Sequence, residues 1–249
     1  MKNQRTCNQN EINDMKNIIK TVWNLFLNNC KPKGSMQTIY PINWKSVSAL
    51  ANSNPDSIRA LISRMIRLEP DTTLTYKERG IAYAGQTFLP EHKGLSEELF
   101  CIRNLMNNGR FDEAKTKNVD VLKRCPLNLL AVDNMVDIIN YELRNSTKVS
   151  EFTETDLKYY TCLGRCLLDT IASTGYGTAK YPFDVVFVHD EYLFMEYYLG
   201  IKYGTQALVD YGKVAKDRFT VVVKSEKYDK DDIFFDITRV LELEARKYL

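Results

Sequence analysis

Apolar residues recur at steps of three and four near the start of the chain, where Ile12, Met15, Ile18, Ile19, Val22, Trp23 and Phe26 fall on one side of a helix. The pattern predicts an N-terminal amphipathic helix within residues 1–35, stopped by the breaker-rich "NNCKPKGS". A short helix is predicted after Asn43, and another after the turn "SNP", with Ile58, Leu61, Ile62, Met65 and Leu68 as its apolar stripe. Asn54 is placed to cap that second helix, with Pro55 at the first helical position, where proline's missing N–H costs nothing. Thr75 is placed to cap a third helix through "YKERGIAYAGQTF", and "LPEHKGLS" then breaks the chain.

Residues 96–125 followed by "PLN" read as one tetratricopeptide-type hairpin. Leu99, Ile102, Leu105 and Met106 form the inner stripe of its first helix, Asn108 and Gly109 turn the chain, and Phe111, Ala114, Val119 and Leu122 pack the returning helix before Pro126. A second pair follows, from Asn128 to about Leu143 and from Thr153 to about Ser173, with "TETD" supplying caps. Two irregular repeats are too few to bury a continuous core, so something must cover the end of the stack.

The remaining chain is patterned to supply that cover. "FDVVFV" reads as a six-residue strand, "DEYLFMEYYLG" as a short helix ending at Gly200, and "KYGTQALVD", "RFTVVVKSE" and "DIFFDI" as three more strands. "TRVLELEARKYL" closes the chain as a helix capped by Thr238, with Val240, Leu241 and Ala245 as packing positions. The predicted fold class is therefore mainly α: irregular tetratricopeptide-like helical hairpins followed by a small mixed α/β C-terminal part. The predicted division is 1–35 for the N-terminal helix, 36–173 for the helical-repeat region, and 174–249 for a β-rich part packed on the repeats.

Charge adds little to this picture. With 34 Lys and Arg against 32 Asp and Glu, the net charge of +2 provides no bulk field for nucleic acid or an anionic membrane. No window approaches the roughly 18 apolar residues of a membrane span. The N-terminus has no apolar h-region, so the expected compartment is the cytoplasm, or an exported location if a signal peptide has been trimmed away. Among six cysteines, Cys162 and Cys166 lie four apart, a spacing that two metal ligands on one helix would use, but both histidines are remote in sequence. They read as small buried thiols, and neither a metal nor a cofactor is expected.

Several stretches together resemble an uncharacterised bacterial domain family of unknown function. They are "EPDTTLT" before the Tyr/Gly helix "AYAGQTF", the repeat-like helices, "TGYGT" followed by an apolar strand and "DEY", and a final "FFDITRV". The similarity runs from about Trp44 to the C-terminus. It implies helical hairpins with a small α/β C-terminal part, and it implies no reaction. Members tend to have Gly-Asp-Gly where this chain has Gly175-Tyr176-Gly177, and a histidine where it has Asp184.

The candidate chemistry is sparse. "GYGTAK" lacks the Gly-Lys-Ser/Thr ending of a phosphate loop, and its glycines follow a helix and precede a strand, the reverse of the nucleotide-binding order, so they read as turn glycines. "KSEKYDKDD" lacks the spacing and glycine of a calcium loop, and His92 sits in a polar loop. His189, Asp190 and Asp184 are the catalytic candidates of a hydrolase-like alternative, since an imidazole beside carboxylates can act as a general base. Asp190 read as a helix cap, with Glu191 favouring the positive helix end, explains two of these residues without catalysis. Strand alternation would also put Asp184 and His189 on opposite faces.

The reading preferred from sequence is a non-catalytic protein- or peptide-binding module using a concave repeat face, with Asn104, Asn108, Asn134 and Tyr141 as contact residues. The expected state is a monomer or, through an edge strand, a homodimer.

Overall fold

A computed structural model describes residues 38–68, 71, 73–92, 95–144, 150–210 and 214–245. The predicted helix within 1–35 lies outside these residues. Contacts divide the chain into two units: 93–164 belong to the first, and 33–92 together with 165–249 belong to the second. The three helices predicted after Asn43 thus share a unit with the C-terminal sheet rather than with the hairpins.

In the first unit, α4 (Leu95–Asn107) and α5 (Phe111–Arg124) form a helical hairpin, followed by α6 (Leu129–Arg144) and the start of α7 (Glu154–Ala172). Gly109 turns the chain between α4 and α5 with φ 73°, a conformation that disfavours any residue with a Cβ. Leu99, Ile102, Leu105 and Met106 are buried as predicted. On α5 the buried stripe is instead Phe111, Ala114, Asn118 and Val121, because Asn118 is a polar core residue. It donates to the Ala131 carbonyl at 2.8 Å and accepts from Asn134 Nδ2 at 3.1 Å, which gives both polar atoms of its own buried amide a partner.

The second unit begins with α1 (Trp44–Ser53), α2 (Pro55–Met65) and α3 (Tyr76–Gly85). The caps predicted at Asn54 and Thr75 are in place, and Asn43, predicted only to precede a helix, caps it. Asn43 Oδ1 accepts from Ser46 N–H, Asn54 Oδ1 accepts from Ser57 N–H, and Thr75 with Glu78 closes a reciprocal capping box. Ile58, Ile62 and Met65 are buried, but α2 stops at Met65 and leaves Leu68 exposed.

The sheet of this unit has the order β1-β4-β3-β2, with β1 (Phe183–Asp184) parallel to β4 (Asp232–Asp236), and β4 antiparallel to β3 (Ala215–Val223). β2 (Lys202–Asp210) pairs antiparallel with β3, with irregular register between Lys202 and Gln206. Phe219 and Phe235 are fully buried on one face, with Phe183 and Phe194 packed edgewise against Phe235 or each other at centroid separations of 4.8–6.2 Å. This aromatic cluster lies under α8 (Val188–Leu193) and the wider π-helical turns of Phe194–Leu199, which end at Gly200 with φ 67°.

The final helix, α9 (Thr238–Ala245), buries Val240 but leaves Leu241 and Ala245 exposed. Thr238 is its first residue rather than its cap, since its hydroxyl accepts from Ala215 N–H and its own N–H donates to Asp236 Oδ1. The position that anchors α9 is Arg239, 2% exposed, whose guanidinium donates to Thr87 Oγ1 and to the Thr87 carbonyl and lies 3.7 Å from the Phe88 ring centroid. Among the described residues no helix is long and apolar enough to cross a membrane.

Candidate functional site

The chain from Asp184 to Glu191 was the predicted strand-to-helix corner, and its strand is shorter than the apolar run. β1 ends at Asp184 because the parallel pairing with β4 covers only two residues. Val185 and Val186 are then both fully buried, so strand alternation does not govern them. Val186 N–H donates to Tyr83 Oη at 3.3 Å, and α8 starts two residues later. An apolar run buried on every side looks like a strand in sequence even where it runs through the core as irregular chain.

The three catalytic candidates are not assembled. His189 is exposed on the first turn of α8, whereas Asp190 is fully buried and Asp184 is 5% exposed. Consecutive helical residues point about 100° apart, which places His189 and Asp190 on different sides of α8. Asp190 accepts from Tyr83 Oη–H and from Phe187 N–H, the latter at 3.2 Å, so it caps α8 from its third position rather than from in front of it. Asp184 is taken up elsewhere, accepting from Ile42 N–H at 2.6 Å, while its own N–H donates to Thr174 Oγ1.

Burial dominates the electrostatics here. Desolvation raises Asp184 to about 8, opposed by the Ile42 N–H and reinforced by Asp236. Desolvation likewise raises Asp190 to about 7, against the hydrogen bonds from Tyr83, Phe187 and Val186 that favour its charged form. Glu191 is pushed well above the usual carboxylate range by burial and by the neighbouring Asp217 and Asp190. Both of its carboxylate oxygens are buried and face the neighbouring Asp217, so it does not merely decorate a helix end. On the sheet side, Asp217 accepts from Gln206 Nε2 at 2.5 Å, and Gln206 Oε1 accepts from Tyr192 Oη–H at 2.8 Å.

Tyr83 and Asp217 were missed by sequence reasoning, and Glu191 was read there beside His189 and Asp190 without its burial. The usable signal for Tyr83 was a single large polar aromatic set among small residues in "AYAG".

The glycines of "TGYGT" serve the backbone. Gly177 has φ 66°, and its carbonyl accepts from Phe234 N–H at 3.0 Å and from Tyr228 Oη–H at 2.8 Å. A Cβ on Gly175 would stand 1.9 Å from the Pro182 carbonyl oxygen. The loop thus ties the end of α7 to β4, and the Gly177 carbonyl, an acceptor, faces its partners where a phosphate site would present donors. Among the described residues no group of three His, Cys, Asp or Glu side chains is placed to hold a metal ion. Cys162 and Cys166 on α7 are half-buried rather than buried.

The candidate binding residues of the first unit separate into two kinds. Asn104 and Asn108 are exposed one turn apart at the end of α4, with Asn108 Nδ2 donating to the Asn104 carbonyl at 2.7 Å. One turn before Asn104 on the same helix face stands Phe100, 68% exposed and not singled out from the sequence. Asn134 is fully buried in the amide network with Asn118, which removes it from any surface. Tyr141 is half-buried, its ring stacked on Phe111 at 3.7 Å with 8° between planes.

Packed helices in one unit and helices with a four-stranded mixed sheet in the other define the architecture, and the chain belongs to the family described as domain of unknown function (DUF4919), which matches residues 48–246. No curated protein and no solved structure matches the chain.

Proposed function

We propose that the protein is a non-catalytic, tetratricopeptide-like module that binds an extended protein or peptide segment. The observation that carries this reading is the outer face of α4, where Phe100, Asn104 and Asn108 are exposed while Leu99, Ile102, Leu105 and Met106 bury the opposite face. An exposed aromatic ring beside side-chain amides suits an extended segment, which offers apolar side chains and unpaired backbone groups. The hydrolase alternative has buried acids with raised pKa in its favour. It has against it the enclosure of Asp190 by Tyr83 and the exposure of His189 on a different side of α8.

The test is to pan a random peptide library on the full chain and on the variants Phe100→Ser and Asn104→Ala. Peptides enriched on the wild type should bind the variants about tenfold or more weakly, and their amide shift changes should cluster on residues 97–108. Peptides that bind both variants unchanged would sink this surface as the site. Turnover of ester or peptide substrates that vanishes in Asp190→Asn would favour the hydrolase.

A further inference from the structure

A second concave feature lies in the second unit, apart from the α4 face. α1 and α3 and the extended segment before α1 enclose a half-open cavity of about 300 Å³, at the lower end of the size range of small-molecule sites. Its floor is apolar, formed by Ile42, Val47, Leu50 and Ile81 with Gly80 between them. Gly80 and Ile81 stand one turn beyond Lys77 on α3, so all three face the cavity together.

The wall of this cavity is held in place before any ligand arrives. Tyr40 N–H donates to the Ser173 carbonyl at 2.7 Å, and Ile42 N–H donates to Asp184 Oδ2 at 2.6 Å. Preformed walls reduce the ordering cost of binding.

The polar groups at the mouth are Asn43, Ser46 and Lys77. Lys77 is exposed, is the charged residue of the lining, and makes no ion pair among the described residues. The first turn of α1 begins beside Asn43 at the same rim, with its Ser46 N–H already taken by Asn43 Oδ1, so the charge of the rim is that of Lys77. An apolar floor under a positive rim is complementary to one chemistry: a short hydrocarbon or aromatic tail carrying a carboxylate.

We propose that this cavity is a binding site for a small apolar carboxylic acid, with the tail on Val47, Leu50 and Ile81 and the carboxylate at Lys77. The site stands or falls independently of peptide binding by α4.

The probe is 3-phenylpropionate, compared with its neutral amide, 3-phenylpropionamide, each titrated into the full chain and followed by backbone amide shifts. The acid should shift residues 40–50 and 77–81 and bind about fivefold or more tightly than the amide, the size of effect a surface ion pair supports. Lys77→Met should bring the acid to the affinity of the amide. Gly80→Leu should abolish binding of both without unfolding the protein, since a Cβ at Gly80 meets nothing nearer than Ile42 Cγ1 at 3.8 Å and leucine is a better helix former. Equal binding of acid and amide would overturn the carboxylate assignment. Shifts that persist in Gly80→Leu, or the absence of shifts at these residues, would overturn the site itself.

Discussion

The most deeply buried acids of the two units are held in different ways. In the first, buried acids are given cations. Asp133, 1% exposed in its side chain, meets Arg103 at 2.5 Å; Asp137 shares the same arginine at 2.9 Å; and Glu142 meets Lys115 at 2.8 Å. In the second, Asp184, Asp190 and Glu191 are just as buried, and no ion pair reaches them among the described residues. Asp184 and Asp190 are held by uncharged donors, a backbone N–H and a tyrosine hydroxyl. A carboxyl with a cation stays charged when buried, whereas one without a cation keeps its proton instead. The difference therefore lies in protonation, and pH is the means of separating the units.

The largest expected effect is on stability against pH. The folded-state value of Asp184 is raised from 3.8 to about 8, so between these values the folded protein holds a proton that the unfolded chain has released. The contribution of Asp184 to stability is full below about pH 4, falls as pH rises, and is gone above about pH 8. The raised value of about 7 for Asp190 acts in the same direction. Urea unfolding of the wild type across this range should lose on the order of a few kcal/mol from these groups, and Asp184→Asn should flatten the slope. An unchanged slope in Asp184→Asn would show that Asp184 is ionised in the folded state.

The comparison can also be broken from the other side. Arg103→Met removes the guanidinium at 2.5 Å from the buried Asp133 and should cost about 2–3 kcal/mol at neutral pH, below the full range for a buried pair because Arg103 is 31% exposed. Part of that loss should return on acidification, making the first unit behave like the second. If the loss is the same at pH 5 and pH 8, Asp133 does not respond as a stranded carboxylate.

Tyr83→Phe removes one hydroxyl that serves both Asp190 and Val186 N–H. It should cost about 2 kcal/mol in denaturant unfolding and slow nothing in the first unit. Tyr83→Phe should also make Asp190 harder to ionise, since the lost hydrogen bond favoured its charged form. The smallest effect belongs to Arg110→Ala. The Arg110–Glu113 pair is more than half exposed on both sides, so its loss should leave the midpoint of urea unfolding unchanged, a control for surface charge.

Features that depend on neighbours along the chain were legible in the sequence. The caps at Asn54 and Thr75, the glycine turns at 109, 177 and 200, and the three strands after Gly200 all follow from local patterns. The amide network of Asn118 was not legible, because a polar residue on an apolar stripe shows its partner only when α6 packs on α5. The corner at Asp184 failed for a related reason: four consecutive residues of "FDVVFV", Phe183 to Val186, are buried, and that erases the alternation that would have marked where the strand ends.

By itself the sequence determined that this chain is mainly helical with a small C-terminal sheet, where most elements begin and end, and that its two histidines stand apart from one another along the chain. Only the tertiary structure decided which acids lose their charge, since the segments packed against Asp184 and Asp190 include residues 142 and 107 positions away in the chain. The physical reason is range. Capping and turn conformation act over three or four residues, whereas desolvation depends on everything that packs around a group, and that is settled only when distant segments meet.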